Sequence, residues 1–448
     1  MEIQRIIRYA LSLALTVVFL LHVSEISRIP ILSSLENLAY DARLKITLPE
    51  KVDKQVVIID IDEKSLNELG QWPWNRNIMA RINDLLFDYY NIEAIGYDIV
   101  FAEEDIDEGA KMLEQMANGV LRDDAEFIAE YSRVMPSLRH DQLFAEALKN
   151  RKTVLGFVMD TDTIKGTLPP AITKLDKKTL DRLPLVKPRG HTANLELLQN
   201  SAFSGGFFDN PLLDDDGVFR RMPLLQAYEG QLHESLALAL TRVALGSPPI
   251  EMVVETNEDG RDLFLEWVTI GEIAIPVDHY SGVMVPYIGK QKSFEYLPAT
   301  DVLNKNIPKD KLKGKITLFG ASAPGLLDLR TTPLEPASPG VEVHANIIQG
   351  ILDGRILHAP GYTQGFEFIL IALIGIILTF TLPMLSALYS TLVIVLSSII
   401  LISSNFYAWT SAQLVLPIAA PVLLVILLFA LQMTYGFFVE SRGKRQLA

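Results

Sequence analysis

Acidic side chains stand where two apolar runs end. "QVVIIDI" (55–61) runs into Asp62 and Glu63, so Asp60, Asp62 and Glu63 close one candidate strand, and Asp98 lies near the end of a second, "EAIGYDIVF" (93–101). Folds that alternate strands and helices hold their ligands at the carboxyl ends of the strands. Carboxylates gathered there suit a cation, an amine or acid/base chemistry. The plainer role is structural: Asp62 caps a helix starting near Lys64, and Asp98 pairs with an arginine such as Arg43 or Arg76. The plainer role is preferred.

A second group is "LNELGQWPWNR" (66–76), with Trp72 and Trp74 either side of Pro73 and Arg76 just beyond. Two indoles suit a cage for a cationic ligand, and Arg76 suits an anion. Alternatively Gly70 ends a helix over 63–69, Pro73 fixes an extended turn, and the indoles close over the sheet edge as a plug. The plug is preferred. "LLDDDGVFRR" resembles a calcium loop only superficially, because placing Gly217 sixth puts Leu212 first and Pro223 twelfth, where ligands are required. "GASAPG" (320–325) lacks the lysine of a phosphate loop and the spacing of a dinucleotide fingerprint, and reads as a tight turn. His344 has no second histidine at metal spacing and reads as a core or capping residue. No serine sits in a nucleophile elbow. The residues thus give no catalytic set, no metal site and no cofactor.

The elements that must carry these residues alternate. The run 55–61 is β-branched and continuously apolar, the mark of a strand covered on both faces. "NIMARINDLLFDYY" (77–90) has helical spacing, and 93–101 is a second strand, making a β-α-β unit. "HDQLFAEALKN" (140–150) and "TVLGFVMD" (153–160) repeat the alternation, as do "GKITLFGAS" (314–322) and the helix "GVEVHANIIQGILDG" (340–354), ended by Gly354. "SGGFFDNPLLDDDGVFRRMPLLQAY" (204–228) predicts a β-hairpin turning at Asp216-Gly217, followed by a helix over 234–246. Residues 103–139 and 161–200 read as surface insertions on a single α/β core. No internal repeat is present at periods of about 20–50 residues.

Of the 448 residues, nearly all the charged ones lie before about residue 358. Apolar runs at 6–23, 366–382, 385–402 and 414–437 are long enough to cross a bilayer, which takes about 20 residues. The first is read as an uncleaved anchor rather than a signal peptide, since "SEISRIPILSS" offers no small-x-small cleavage site. Tyr407 and Trp409 fall between spans, at headgroup depth. Arg5 and Arg8 at the front and Arg442, Lys444 and Arg445 at the back put both termini in the cytoplasm, so 25–362 is one outer domain and 438–448 a cytoplasmic junction. The net charge of −14 disfavours nucleic acid as a partner. With no cysteine, the outer domain rests on its core alone, which suits a bacterial periplasm.

"YDARLK" (40–45), "VVIIDIDEKSL", "GQWPWNR", "AIGYDIVFAEED", "DDDGVFRRMPLL" and "LFGASAPGLLDLRTTPLEPASPGVEVHANIIQGIL" occur in this order. Together they resemble the second type of the cyclase/histidine-kinase-associated sensory extracellular (CHASE) domain, over about residues 35–355. The resemblance implies a multi-pass receptor of the bacterial inner membrane. Its α/β periplasmic sensor domain, a mainly parallel sheet with a β-hairpin, is followed by three of the four transmembrane helices and a cytoplasmic output. Family outputs are class III nucleotide cyclases, histidine kinases and serine/threonine kinases. The tail "GFFVESRGKRQLA" resembles a junction to an adenylate cyclase, for which Mg and ATP belong to the output domain alone. The sequence stops at Ala448, before any output motif, and reads as a fragment or as a solitary envelope sensor or scaffold. Because class III cyclases build active sites between two protomers, the receptor is expected to be a homodimer answering an unknown periplasmic signal. Asp60, Asp62, Trp72, Trp74, Arg76, Asp98, Asp328 and Arg330 are expected to line one face, as signal site or coupling hinge. A periplasmic hydrolase built on Asp60, Asp62 and Asp98 is the enzymatic alternative.

Overall fold

The structure is a computed structural model that describes residues 2–160, 162–172, 176–256, 263–326 and 329–447. It divides into two compact units: Pro49–Ile356, and a second that joins Met1–Leu48 to Leu357–Ala448.

The first unit is built on β1 (Val56–Ile61), β2 (Ala94–Tyr97), β3 (Thr153–Asp160), β4 (Ser204–Phe207), β5 (Glu295–Pro298) and β6 (Ile316–Ala321). Their order is β5-β1-β6-β2-β3-β4, and each neighbouring pair is parallel. Every residue of β1 is buried, which is why its sequence is apolar without alternation. Val57, Ile59, Ile61, Tyr97 and Phe319 share a core with Met79, Ile82, Phe144 and Leu148, from the helices Arg76–Asp84 and His140–Leu148. Leu236–Ala244 and Gly340–Asp353 cover the opposite face. The second of these approaches β6 so closely that a Cβ on Gly320 would lie 2.8 Å from the Val341 side chain. Only glycine admits that approach.

The expected hairpin at Asp216-Gly217 is not formed. β4 pairs with β3, whereas Arg221–Pro223 pairs antiparallel with Gly282–Met284. Asp214 and Asp216 instead grip Arg220, with three N–O contacts of 2.9 Å, so the acidic run is an arginine clamp around a tight turn. The hairpin of this region joins Leu225–Tyr228 to Gln231–Glu234. Its turn residues Glu229 and Gly230 both have positive φ, 49° and 78°, as the turns that match strand twist demand. A separate antiparallel meander comprises Ile250–Thr256, Leu263–Ile270 and Ile273–Pro276.

Residues 103–139, expected as a surface insertion, hold the helices Glu108–Asn118 and Ala125–Leu138. Part of the acidity there is capping: Asp107 accepts from the Ala110 amide, and Asp124 from those of Glu126 and Phe127.

The second unit contains four helices long and apolar enough to cross a membrane, at Ile6–Val23, Thr363–Met384, Ala387–Ser411 and Ala419–Gly436. The third runs through "SSNFYAWTS", expected between spans, because no glycine or proline interrupts the helix there. Residues 25–48, expected in the outer domain, group with the spans instead. They carry a linker helix, Pro30–Ile46, that packs Leu32 into the same core as Phe19, Ile371 and Leu424. The end of an apolar run marks a change of solvent, not of packing.

Candidate functional site

Asp60 occupies the penultimate position of β1, beside Gly320 of β6, and Asp98 follows β2 on the other side of β6. Alternation along the strands puts Asp60 on the face away from Ile59, Tyr97 and Phe319. It is 4% exposed, and its two carboxylate oxygens accept from the Ser322 amide at 2.9 Å and the Ser322 hydroxyl at 2.5 Å. Burial pushes its pKa up to about 6, against the Ser322 hydrogen bonds, which favour the ionised form.

A second carboxylate faces the same side. Glu342, in the first turn of the helix Gly340–Asp353, accepts from the backbone amides of Lys292 (3.1 Å) and Ser293 (2.8 Å) and from the Tyr296 hydroxyl (3.0 Å). Lys292 has φ of 64°, so two consecutive amides converge on one carboxylate. Burial raises the Glu342 pKa as well.

Asp98 does not pair with Arg43 or Arg76. His344 Nε2 lies 3.8 Å from Asp98 Oδ1, with both side chains buried, while Arg76 engages Asp105 and Asp141 and Arg43 pairs with Glu36. His344 is held neutral: burial, reinforced by Arg330, drives its pKa down to about 3. Its Nδ1 is buried without a hydrogen-bond partner. Asp98, His344, Arg330, Phe219 and Met222 border a cavity of about 10 Å³, the size of one water. The Arg330 guanidinium stands 5.6 Å over the Phe219 ring. Asp328 lies outside the described residues.

Trp72, Trp74 and Arg76 are on the opposite face of the sheet, so the expected single face is two. Asp62 is on neither: it caps the helix Glu63–Leu69, accepting from the Ser65 amide at 2.8 Å. Trp74 is 3% exposed and donates its indole N–H to the Gly70 carbonyl at 2.9 Å. Trp72 meets it edge-on at 5.3 Å and lies 6.4 Å from Phe319. The rings fill each other's space instead of facing across a gap, so they form a plug and not a cage.

Beside the plug, Arg76 lies 4.5 Å over the Phe101 ring. Its amide donates to Asp105 Oδ2 at 2.5 Å, an oxygen that His140 Nδ1 also approaches at 3.1 Å. The Asp105 amide in turn donates to Asp141 Oδ2 at 3.0 Å. Arg76 Nε and Asp141 Oδ1 stand 3.8 Å apart, and both are buried without a hydrogen bond. Asp105, His140 and Asp141, with Glu104, Asp107 and Glu196, border an open cleft of about 560 Å³ beneath the helices of the acidic insertion. Burial raises the Asp141 pKa despite Arg76. Among the described residues no three histidine or carboxylate side chains are arranged to hold a metal.

Ser322, Tyr296 and Glu342, and Asp105, His140 and Asp141, were not singled out as site residues in the sequence. Ser322 had a signal: it is the first polar residue after a buried strand in "GASAPG". The others become partners only through long-range packing, such as Glu342 with Ser293, 49 residues apart.

These features define a membrane-anchored α/β domain whose strand ends carry buried, internally bonded carboxylates. The chain belongs to the CHASE2 domain family, which it matches over residues 12–380, and CHASE2 is an extracellular sensory domain of signalling receptors. Comparison with curated proteins and with solved structures found no match.

Proposed function

We propose that this chain is the signal-receiving and membrane-spanning part of a bacterial inner-membrane receptor. Its Pro49–Ile356 unit faces the periplasm, both termini are cytoplasmic, and the regulated output is a class III adenylate or guanylate cyclase working as a homodimer. The observation that carries the reading is the family match, which covers the whole sensory unit and reaches into the first and second spans that flank it. The basic residues at both ends of the chain support the orientation. The strand-end face of Asp60, Asp98, His344 and Arg330 is the coupling face in this reading. The cleft beside Arg76 has room for a molecule, and its acidic border disfavours an anionic one. A signal acts there only through different affinities for two states. A hydrolase finds less support, because Asp60 and Asp98 are buried and Asp62 is spent as a helix cap.

Two measurements test the reading. Gln71→Cys, exposed in a chain without cysteine, is expected to react in intact cells with a maleimide that cannot cross the inner membrane. Membranes carrying the complete receptor are expected to make cyclic nucleotide from ATP or GTP with Mg. No labelling until the cells are broken would reverse the orientation. Protein phosphorylation without cyclic nucleotide would replace the cyclase by a kinase.

A further inference from the structure

The chain reaches the sensory unit through the linker helix Pro30–Ile46 and leaves it through residues 357–362. Both passages bond to the same short segment, the connection between the third and last spans. On the incoming side Arg43, 7% exposed, donates to Asn405 Oδ1 at 2.6 Å, to the Leu416 carbonyl at 3.0 Å and to Glu36 at 3.0 Å. Its guanidinium lies 4.8 Å over Trp409, whose indole N–H donates to the Thr47 hydroxyl at 2.9 Å. The second oxygen of Glu36 accepts from the amides of Ile418 and Ala419, both at 2.8 Å. Those amides open the last helix, Ala419–Leu447, so a carboxylate from another helix caps its positive end. On the outgoing side the His358 amide donates to the Gln413 carbonyl, and the Val415 amide to the His358 carbonyl, each at 2.8 Å. The first span is attached differently. A break at 24–29, with Glu25 at φ 58°, separates it from the linker helix.

We propose that the 412–418 connection is a mechanical joint: it gathers both passages from the sensory unit and hands their displacement to the last span, with Glu36 and Arg43 as its positioning residues. This rests on the reading of the chain as a receptor. Charged groups bonded this completely in a partly dry setting hold one geometry firmly, because breaking any of them strands a charge. A movement of the linker helix therefore carries the start of the last span with it.

The test uses the full chain in lipid nanodiscs. Spin labels go on Ile377→Cys and Leu427→Cys, exposed positions in the second and last spans, and a protease site is inserted at the exposed Lys51. Cleavage there frees the linker helix from the sensory unit. Cleavage is expected to shift the label-to-label distance in the native sequence. Arg43→Ala and Glu36→Gln are each expected to abolish the shift without changing the melting temperature of the sensory unit. A shift that persists in both variants, or no shift in the native sequence, overturns the joint. Failure of the helices to assemble in both variants makes the bonds a structural brace and overturns it too. None of these readouts involves an output domain, so a failed joint leaves the receptor reading standing, and a wrong output leaves the joint standing.

Discussion

Asp60 is an acid held against its own ionisation, and the sign of its effect on stability follows. Its folded pKa, about 6, lies above its ordinary value of 3.8, so the folded unit keeps the proton longer than the unfolded chain and loses stability as pH rises through that window. His344 acts oppositely: with a folded pKa of about 3 against 6.5, it costs stability as pH falls below 6.5. The two effects overlap, so the informative quantity is a difference. Relative to the native unit, Asp60→Asn is expected to gain stability as pH rises from 4 to 6 and level off above, by about 3 kcal/mol at most, read from denaturant unfolding. A flat difference would mean that Asp60 ionises normally. At this scale the sequence disclosed positions better than partners. Asp62 announces its cap three residues before Ser65, a purely local bond, and Asp60 and Asp98 show their place at strand ends by following apolar runs. That Asp60 would meet Ser322 and Asp98 would meet His344 depends on residues more than 200 positions away, which no local spacing encodes.

The elements were legible where one force dominates. β1, β3 and β6 read as continuous apolar runs because both faces are covered, and Gly354 ends its helix with φ of 62°. The hairpin was misplaced because Asp-Gly signals a turn without saying what the flanks pair with. Arg220 satisfies both aspartates, and the strands beside that turn find other partners. The helices of 103–139 were obscured by charge that caps their ends. Closest packing was also silent: nothing near Gly320 in sequence says that Val341 will press on it. Gly320→Ala is expected to destabilise the sensory unit by about 1–3 kcal/mol through overpacking, measured by urea unfolding. Gly325→Ala, where an added Cβ would meet nothing within 4 Å, is expected to leave stability nearly unchanged. If Gly320→Ala is no less stable than that control, the contact is not the cause.

The whole molecule divides differently from its hydropathy. The spans were visible as apolar runs, yet the linker helix is packed with them, and the sensory unit begins only at Pro49. A chain of residues 49–356 is therefore expected to fold alone, with a melting temperature within a few degrees of that of the same unit in the full chain, followed by near-ultraviolet circular dichroism. A fall of more than about 10 °C, which for a unit of this size exceeds a few kcal/mol, would show that the unit borrows stability from the spans.

The carboxyl ends of β1 and β6 are where folds of this kind ordinarily seat a diffusing ligand. Here Asp60 sits on the amide and hydroxyl of Ser322, and Glu342 on the amides of Lys292 and Ser293. The unit thus supplies its own tenants: covalently tethered carboxyl groups already occupy seats that a free carboxylate or phosphate would need. A molecule arriving at that edge has to evict a resident before it can bind, and the resident never leaves the house.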